Sequence, residues 1–366
     1  MTRHPMLDSR GFKIGVFSCN ADGGLAITTV PERWRASWSD NLTAARLADA
    51  AGLDFLLPIA RWKGFGGKTE VREHSFETFT WAAALAGVTQ RIGLFMTVHI
   101  PLVHPVFAAK ALATVDHASG GRAGLNIVCG WNPAEFAMFG AVADSAPYDR
   151  AAEWIRVVEE AYSNEVPRDF EGTFYQLKGL ISRPASLQRP RPVTMNAAFG
   201  VPGRNFAAAH CDFLFSTFAT IKDGRRHIAD IRARSEEAGR EVGVYTVAHV
   251  VCRNDQAEAE DYYDRYANRE ADHPAVDNHM AGKKEFARSH DPDAFDLYRK
   301  RFAGGAGTYP LVGTPRAIAD DLIRIAAEGY RGIALTFVNY TDELPFFCEK
   351  VLPLLAEAGL RPKMAA

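Results

Sequence analysis

What most constrains this chain is that its hydrophobic pattern changes period repeatedly along its length. Short apolar runs, the signature of buried strands, alternate with longer stretches whose apolar residues recur at helical spacing. Strand-like runs fall at Lys13–Cys19, Phe55–Ala60, Ile92–His99, Gly124–Val128, Val193–Asn196, Phe213–Phe218, Val242–Cys252 and Gly332–Val338. Helical patterns follow near 39–51, 75–88, 106–118, 203–210, 222–238, 314–327 and 342–358, with an amphipathic helix over Tyr148–Tyr162. Strand and helix in regular alternation predict a parallel sheet covered by helices, an α/β protein. No strand is followed at once by the glycine fingerprint of a dinucleotide fold, so a closed (β/α)8 TIM barrel with insertions is preferred to an open doubly wound sheet. The whole of 1–366 is read as one barrel domain. A small hairpin is expected at Phe170–Leu180, a Pro/Arg-rich link at Arg183–Pro192, and a charged helical insertion at about 255–310.

Composition narrows the function classes. With a formal net charge of -2 and no run of Lys or Arg, nothing points to nucleic acid. No apolar run reaches the roughly 18 residues of a membrane span, and Met1–Gly11 lacks the apolar core of a signal peptide. The five cysteines (Cys19, Cys129, Cys211, Cys252 and Cys348) are scattered and sit mostly in apolar runs. They read as structural thiols of a cytoplasmic protein.

In a barrel, the site sits at the carboxyl ends of the strands. That rule nominates Cys19, Asn20, Arg61, Trp62, Thr97, His99, Asn126, Trp131, Asn196, Phe199, Thr336 and Asn339. The stretch Ser119–Trp131 is the most informative. Gly120 and Gly121 stop a helix, and the strand after them carries an amide, Asn126, that is costly unless it finds partners. Thr97 and Asn126 close successive strands and face each other across the expected mouth. Neither is an acid or base near neutrality, so the pair suits holding an amide-rich ring or a polarised oxygen species and does not suit hydrolysis. The alternative is a hydroxyl and amide satisfied by backbone.

Other signals are weaker. Gly200-Val201-Pro202-Gly203-Arg204 opens a helix after the fifth strand, where free N–H groups attract a phosphate, although such loops also occur as plain turns. Gly64-Phe65-Gly66-Gly67-Lys68 lacks the Walker spacing and reads equally as a lid. His74, His99 and His104 form no metal-ligand spacing, so no metal is expected, and no GxSxG elbow of a serine hydrolase is present. Of the tryptophans near loops (Trp34, Trp38, Trp62, Trp131), some should line an apolar pocket, whereas Trp81 and Trp154 read as core.

Gly64–Glu70, the Thr97 strand, Asp116–Arg122, Asn126-Ile127-Val128-Cys129-Gly130-Trp131 and Leu311-Val312-Gly313-Thr314-Pro315 resemble the bacterial-luciferase-like FMN-dependent monooxygenases, over about Lys13–Leu355. Within them the chain looks most like the pyrimidine monooxygenases of uracil breakdown, with the dimethyl sulfone and alkanesulfonate monooxygenases next. The resemblance implies a two-component enzyme. A separate flavin reductase would supply FMNH2, which reacts with O2, and the flavin peroxide would oxygenate a small heterocyclic or amide substrate. It places FMN against Ala60, Arg61, Asn126, Glu135, Pro147, Tyr148 and Gly200, and gives Thr97 and Asn126 the catalytic role of shaping the oxygen pocket. It also implies a homo-oligomer, a dimer or tetramer. Two positions depart from the family: Pro147 replaces the arginine of an Arg-Tyr pair, and Gly200 replaces a phosphate-loop serine. Arg204 and Arg150 are the nearby cations that could compensate. A sulfone or sulfonate oxygenase and a non-catalytic flavin-binding protein are the alternative readings.

Overall fold

Eight of the predicted apolar runs pair edge to edge in the computed structural model, which describes residues 4–8, 11–130, 132–142, 145–284 and 299–362. They are β1 (Lys13–Phe17), β2 (Phe55–Leu57), β3 (Gly93–His99), β4 (Ala123–Val128), β7 (Val193–Ala197), β8 (Phe213–Phe215), β9 (Gly243–Cys252) and β11 (Gly332–Thr336). All neighbours are parallel, and β1 pairs with both β2 and β11 while β9 pairs with β8 and β11. The ring is therefore closed, a barrel of eight strands. The expected hairpin forms from β5 (Arg168–Glu171) and β6 (Gln176–Leu180). Three backbone N–H groups of its turn, from Thr173, Phe174 and Tyr175, donate to the carboxylate of Glu153 and hold it on the barrel.

Strand alternation decides what fills the interior. Phe55, Phe95, Met195, Phe213, Tyr245, Val247 and Ala334 pack inward as one cluster. Gly124 makes room for one of these rings, because a Cβ there would lie 2.7 Å from Phe95. The other faces of the strands pack against the helices in a larger cluster that includes Trp81 and Trp154, as expected of those two. At the amino-terminal end of the barrel, Arg122 knits the loops together, donating to the carbonyls of Ser119, Ile92 and Thr89. Half of the Ser119–Trp131 stretch is thus architecture.

The structure adds elements that the periodicity did not announce. β10 (Tyr309–Gly313) lies parallel to the far half of β9, outside the ring, where a helical insertion was expected to be ending. Before it come α8 (Gln256–Asp264), a π-helical turn (Arg265–Arg269) and α9 (His273–Lys284). A short helix, α4 (Pro133–Met138), follows β4 and is too brief to show a period. Trp34 belongs to the core, its indole N–H donating to the carbonyl of Cys19 at 2.8 Å. Trp131 lies outside the described residues. The cysteines are free thiols, and no helix among the described residues is long and apolar enough to cross a membrane.

Candidate active site

Thr97 and Asn126 are direct partners in the β3–β4 register, and both side chains share the inward face with Phe95. Their hydrogen bonds run one way. The Thr97 hydroxyl donates to the Pro58 carbonyl at 2.5 Å, so its oxygen is left to accept from Asn126 Nδ2 at 3.1 Å. The orientation of the amide follows, and Asn126 Oδ1 is a buried acceptor with nothing donating to it. The pair brought together from sequence is real, but the hydroxyl proton is committed to backbone. What it offers the mouth is chiefly an acceptor.

Near His99, at the end of β3, the carboxylate of Glu135, on α4, is completely buried. Its Oε1 accepts from Arg61 Nη1 at 2.9 Å and from the backbone N–H of Trp62 at 2.9 Å. Its Oε2 lies 3.6 Å from His99 Nδ1, beyond a hydrogen bond. His99 is neutral there: burial, helped by the Arg61 charge, lowers its pKa to about 3. Arg61 and Glu135 therefore form a closed ion pair that fixes the chain just after Ala60. Asn20 braces the same turn, its amide donating to the Ile59 carbonyl and accepting from the Ile59 N–H.

The Gly64–Glu70 loop is pinned by the insertion. The Asp272 carboxylate accepts from both the N–H and the hydroxyl of Thr69, at 2.7 and 2.8 Å. Asn278 donates to the Phe65 carbonyl, and the Phe65 ring stacks on His279 at 3.6 Å. These contacts favour the lid reading of the glycine-rich loop over a phosphate cradle, because its backbone groups are already engaged.

A third cluster forms where α5 (Pro147–Ser163) meets the start of α6 (Val201–His210). Gly200 is the N-cap of α6 and supplies no side-chain cap, so the N–H groups of the first turn keep their capacity for a ligand. Tyr148 lies over this turn, since a Cβ on Gly203 would come within 2.7 Å of its hydroxyl. Burial raises the pKa of that phenol to about 12, so it remains a donor. Pro147 starts α5 at a position that needs no N–H. The two compensating cations are otherwise engaged: Arg204 pairs with Asp230 at 3.1 Å, and Arg150 lies 4.7 Å from the Phe174 ring. Arg150 also lines a cavity of about 630 Å³ with His104 and Tyr175, between the loop that follows β3 and the hairpin.

The remaining strand-end nominees divide. Asn339 caps the helix Tyr340–Lys350, and Cys19 is a core thiol whose pKa burial pushes up to about 12. Asn196 donates to the Ile127 carbonyl, Thr336 is buried at the end of β11, and Trp62 and Phe199 are exposed. One residue of the mouth escaped the strand-end rule. His249 lies within β9 because that strand runs on to Cys252, so an embedded lone histidine carried no signal of position. Among the described residues no group of His, Cys, Asp or Glu is placed to hold a metal ion.

Comparisons with known proteins agree with the barrel fold. The luciferase-like monooxygenase family matches residues 12–332. The pyrimidine monooxygenase RutA of Acinetobacter baylyi is 28% identical over 358 residues, covering 94% of each chain. An FMNH(2)-dependent dimethylsulfone monooxygenase of Pseudomonas putida is 27% identical over 359 residues, covering 95% of this chain and 96% of its own. Among solved structures, DmoA from Hyphomicrobium sulfonivorans superposes with a TM-score of 0.84 at 19% identity, covering 98% of this chain and 90% of its own. The long-chain alkane monooxygenase LadA also gives 0.84, at 20% identity, covering 100% and 94%. The barrel, the polar pair at its mouth and a match spanning most of the sequence lead to one assignment: this chain belongs to the luciferase-like monooxygenase family.

Proposed function

We propose that the protein is a two-component monooxygenase that takes FMNH2 from a separate flavin reductase and uses O2 to oxygenate a small, neutral heterocycle or amide. The observation that carries this reading is the Thr97–Asn126 pair, a hydrogen-bonded hydroxyl and amide, both buried at the barrel mouth with Asn126 Oδ1 unspent. Neither side chain is an acid or base near neutrality, as fits a reaction whose electrons and oxygen come from a cofactor and a gas. Reduced FMN supplies two electrons, so that one atom of O2 enters the substrate and the other leaves as water.

The residues present fit that cofactor. The uncapped first turn of α6 and the Tyr148 hydroxyl suit a phosphate held by neutral donors, which accommodates both Pro147 and Gly200. Asn126 Oδ1 would accept from a ring N–H. Ala60 and Arg61 would contact the cofactor through the turn that Glu135 and Asn20 hold rigid. Arg61 is already balanced by Glu135, which favours an uncharged substrate over a sulfonate, whose anionic group needs cationic partners. Members of this family commonly work as dimers or tetramers, and we extend that expectation to this chain.

The test is oxygen-dependent turnover with a flavin reductase supplied, offering uracil, simple amides, dimethyl sulfone and methanesulfonate, after fluorescence titration with FMN. Uracil or amide oxygenation is expected. Asn126→Ala should abolish product while oxygen reduction by free flavin continues, and normal turnover by that variant would remove Asn126 from the mechanism. Turnover of sulfone alone would move the protein to the neighbouring branch. Failure to bind either FMN or anaerobically reduced FMN would refute the reading altogether.

A further inference from the structure

His249 sits on β9 directly opposite Thr336 of β11, in an unbroken register that also pairs Val247 with Ala334. Val247 and Ala334 belong to the inward cluster, so His249, two residues further on, shares the inward face above them. In the ring of eight strands β9 stands four places from β3, so His249 and Thr97 occupy opposite walls.

The hydrogen bonds of the imidazole settle its tautomer. Nδ1 lies 2.9 Å from Thr308 Oγ1, and that hydroxyl spends its own proton on the Gly305 carbonyl at 2.8 Å. Thr308 must therefore accept, and Nδ1 carries the proton. Nε2 is then a lone-pair nitrogen, fully buried and with no partner. The ring is held in place by Tyr263 stacked at 5.5 Å and by the Gly305 backbone, where even a Cβ would come within 2.3 Å of Nδ1. Burial, with the Arg301 charge behind it, lowers the pKa to about 3, so the nitrogen stays unprotonated across the working range. A neutral imidazole fixed in this way can only accept at Nε2.

We propose that His249 Nε2 is a specificity-determining acceptor, selecting substrates that bring an N–H or O–H donor to the wall opposite Thr97; the inference rests on the oxygenase reading above. A cyclic amide or ureide carries such a donor and a sulfone carries none. Leaving a buried acceptor bare is what penalises the donor-free compound.

The experiment uses the full chain with its histidines labelled with 15N, titrated with uracil and separately with 1,3-dimethyluracil, which has the same ring and no N–H. A shift of the non-protonated His249 Nε2 resonance with uracil only is the expected result. Equal shifts with both compounds, or no shift with uracil, would overturn the proposal. In turnover, His249→Phe is expected to cut the kcat/KM preference for uracil over 1,3-dimethyluracil by roughly 10- to 100-fold, the worth of one buried hydrogen bond. An unchanged preference in a folded variant would also overturn it. A uracil-specific shift without any oxygenated product would leave the acceptor standing and refute the oxygenase reading instead.

Discussion

Removing the Glu135 carboxylate tests how the carboxyl-terminal end of the barrel is held together. In Glu135→Ala the Arg61 guanidinium, only 8% exposed, loses the carboxylate 2.9 Å away, and the Trp62 N–H loses an acceptor at 2.9 Å. Breaking a buried ion pair from one side costs roughly 3–5 kcal/mol, because the remaining charge stays desolvated. The Trp62 N–H adds little, since Trp62 is 40% exposed and water can replace the carboxylate there. A loss of about 3 kcal/mol is expected, at the low end because Arg61 can turn towards solvent. Urea unfolding followed by circular dichroism gives the magnitude, and hydrogen exchange at the Trp62 amide gives the location. The companion variant Arg61→Met/Glu135→Leu removes both charges and should be less destabilised than Glu135→Ala alone. A Glu135→Ala protein within about 1 kcal/mol of the parent would refute the account, as would a double variant whose loss equals the sum of the two single losses.

Two further outcomes follow from the packing and from the buried histidines. Gly67 has φ +79°, and a Cβ there would lie 2.5 Å from Ala275 and 2.7 Å from the Asp272 carboxylate, so Gly67→Ala should prise the 61–73 loop from α9. Limited proteolysis should then cut that loop faster, and unchanged resistance would show that the latch is not where we place it. His4, His99 and His249 are lowered to about 4, 3 and 3, in each case first by burial. With folded values below the unfolded 6.5, their stability contribution is complete above that pH and is lost as pH falls towards the folded values. At pH 4.5 each would cost about 2.5 kcal/mol relative to pH 7, so a urea midpoint unchanged between those pH values would contradict the burial of neutral imidazoles.

The sequence by itself determined the barrel, because a switch between periods of 2 and 3.6 is local and each strand–helix unit announces itself without reference to the others. It also determined the Thr97–Asn126 pair, since successive parallel strands in a barrel are neighbours and residues near their ends fall in register. Partners chosen across long separations were decided by the tertiary structure alone. Glu135 finds Arg61 74 residues away, Arg204 is taken by Asp230, and Thr308 sets the tautomer of His249 from 59 positions further along. None of these pairings leaves a period in the chain. β10 escaped for a related reason: it is a five-residue strand whose pairing edge exists only because β9 overruns the ring. Periodicity reports which face of an element is buried. Which polar atoms remain unsatisfied on that face depends on every element that arrives there, and only the folded chain brings them together.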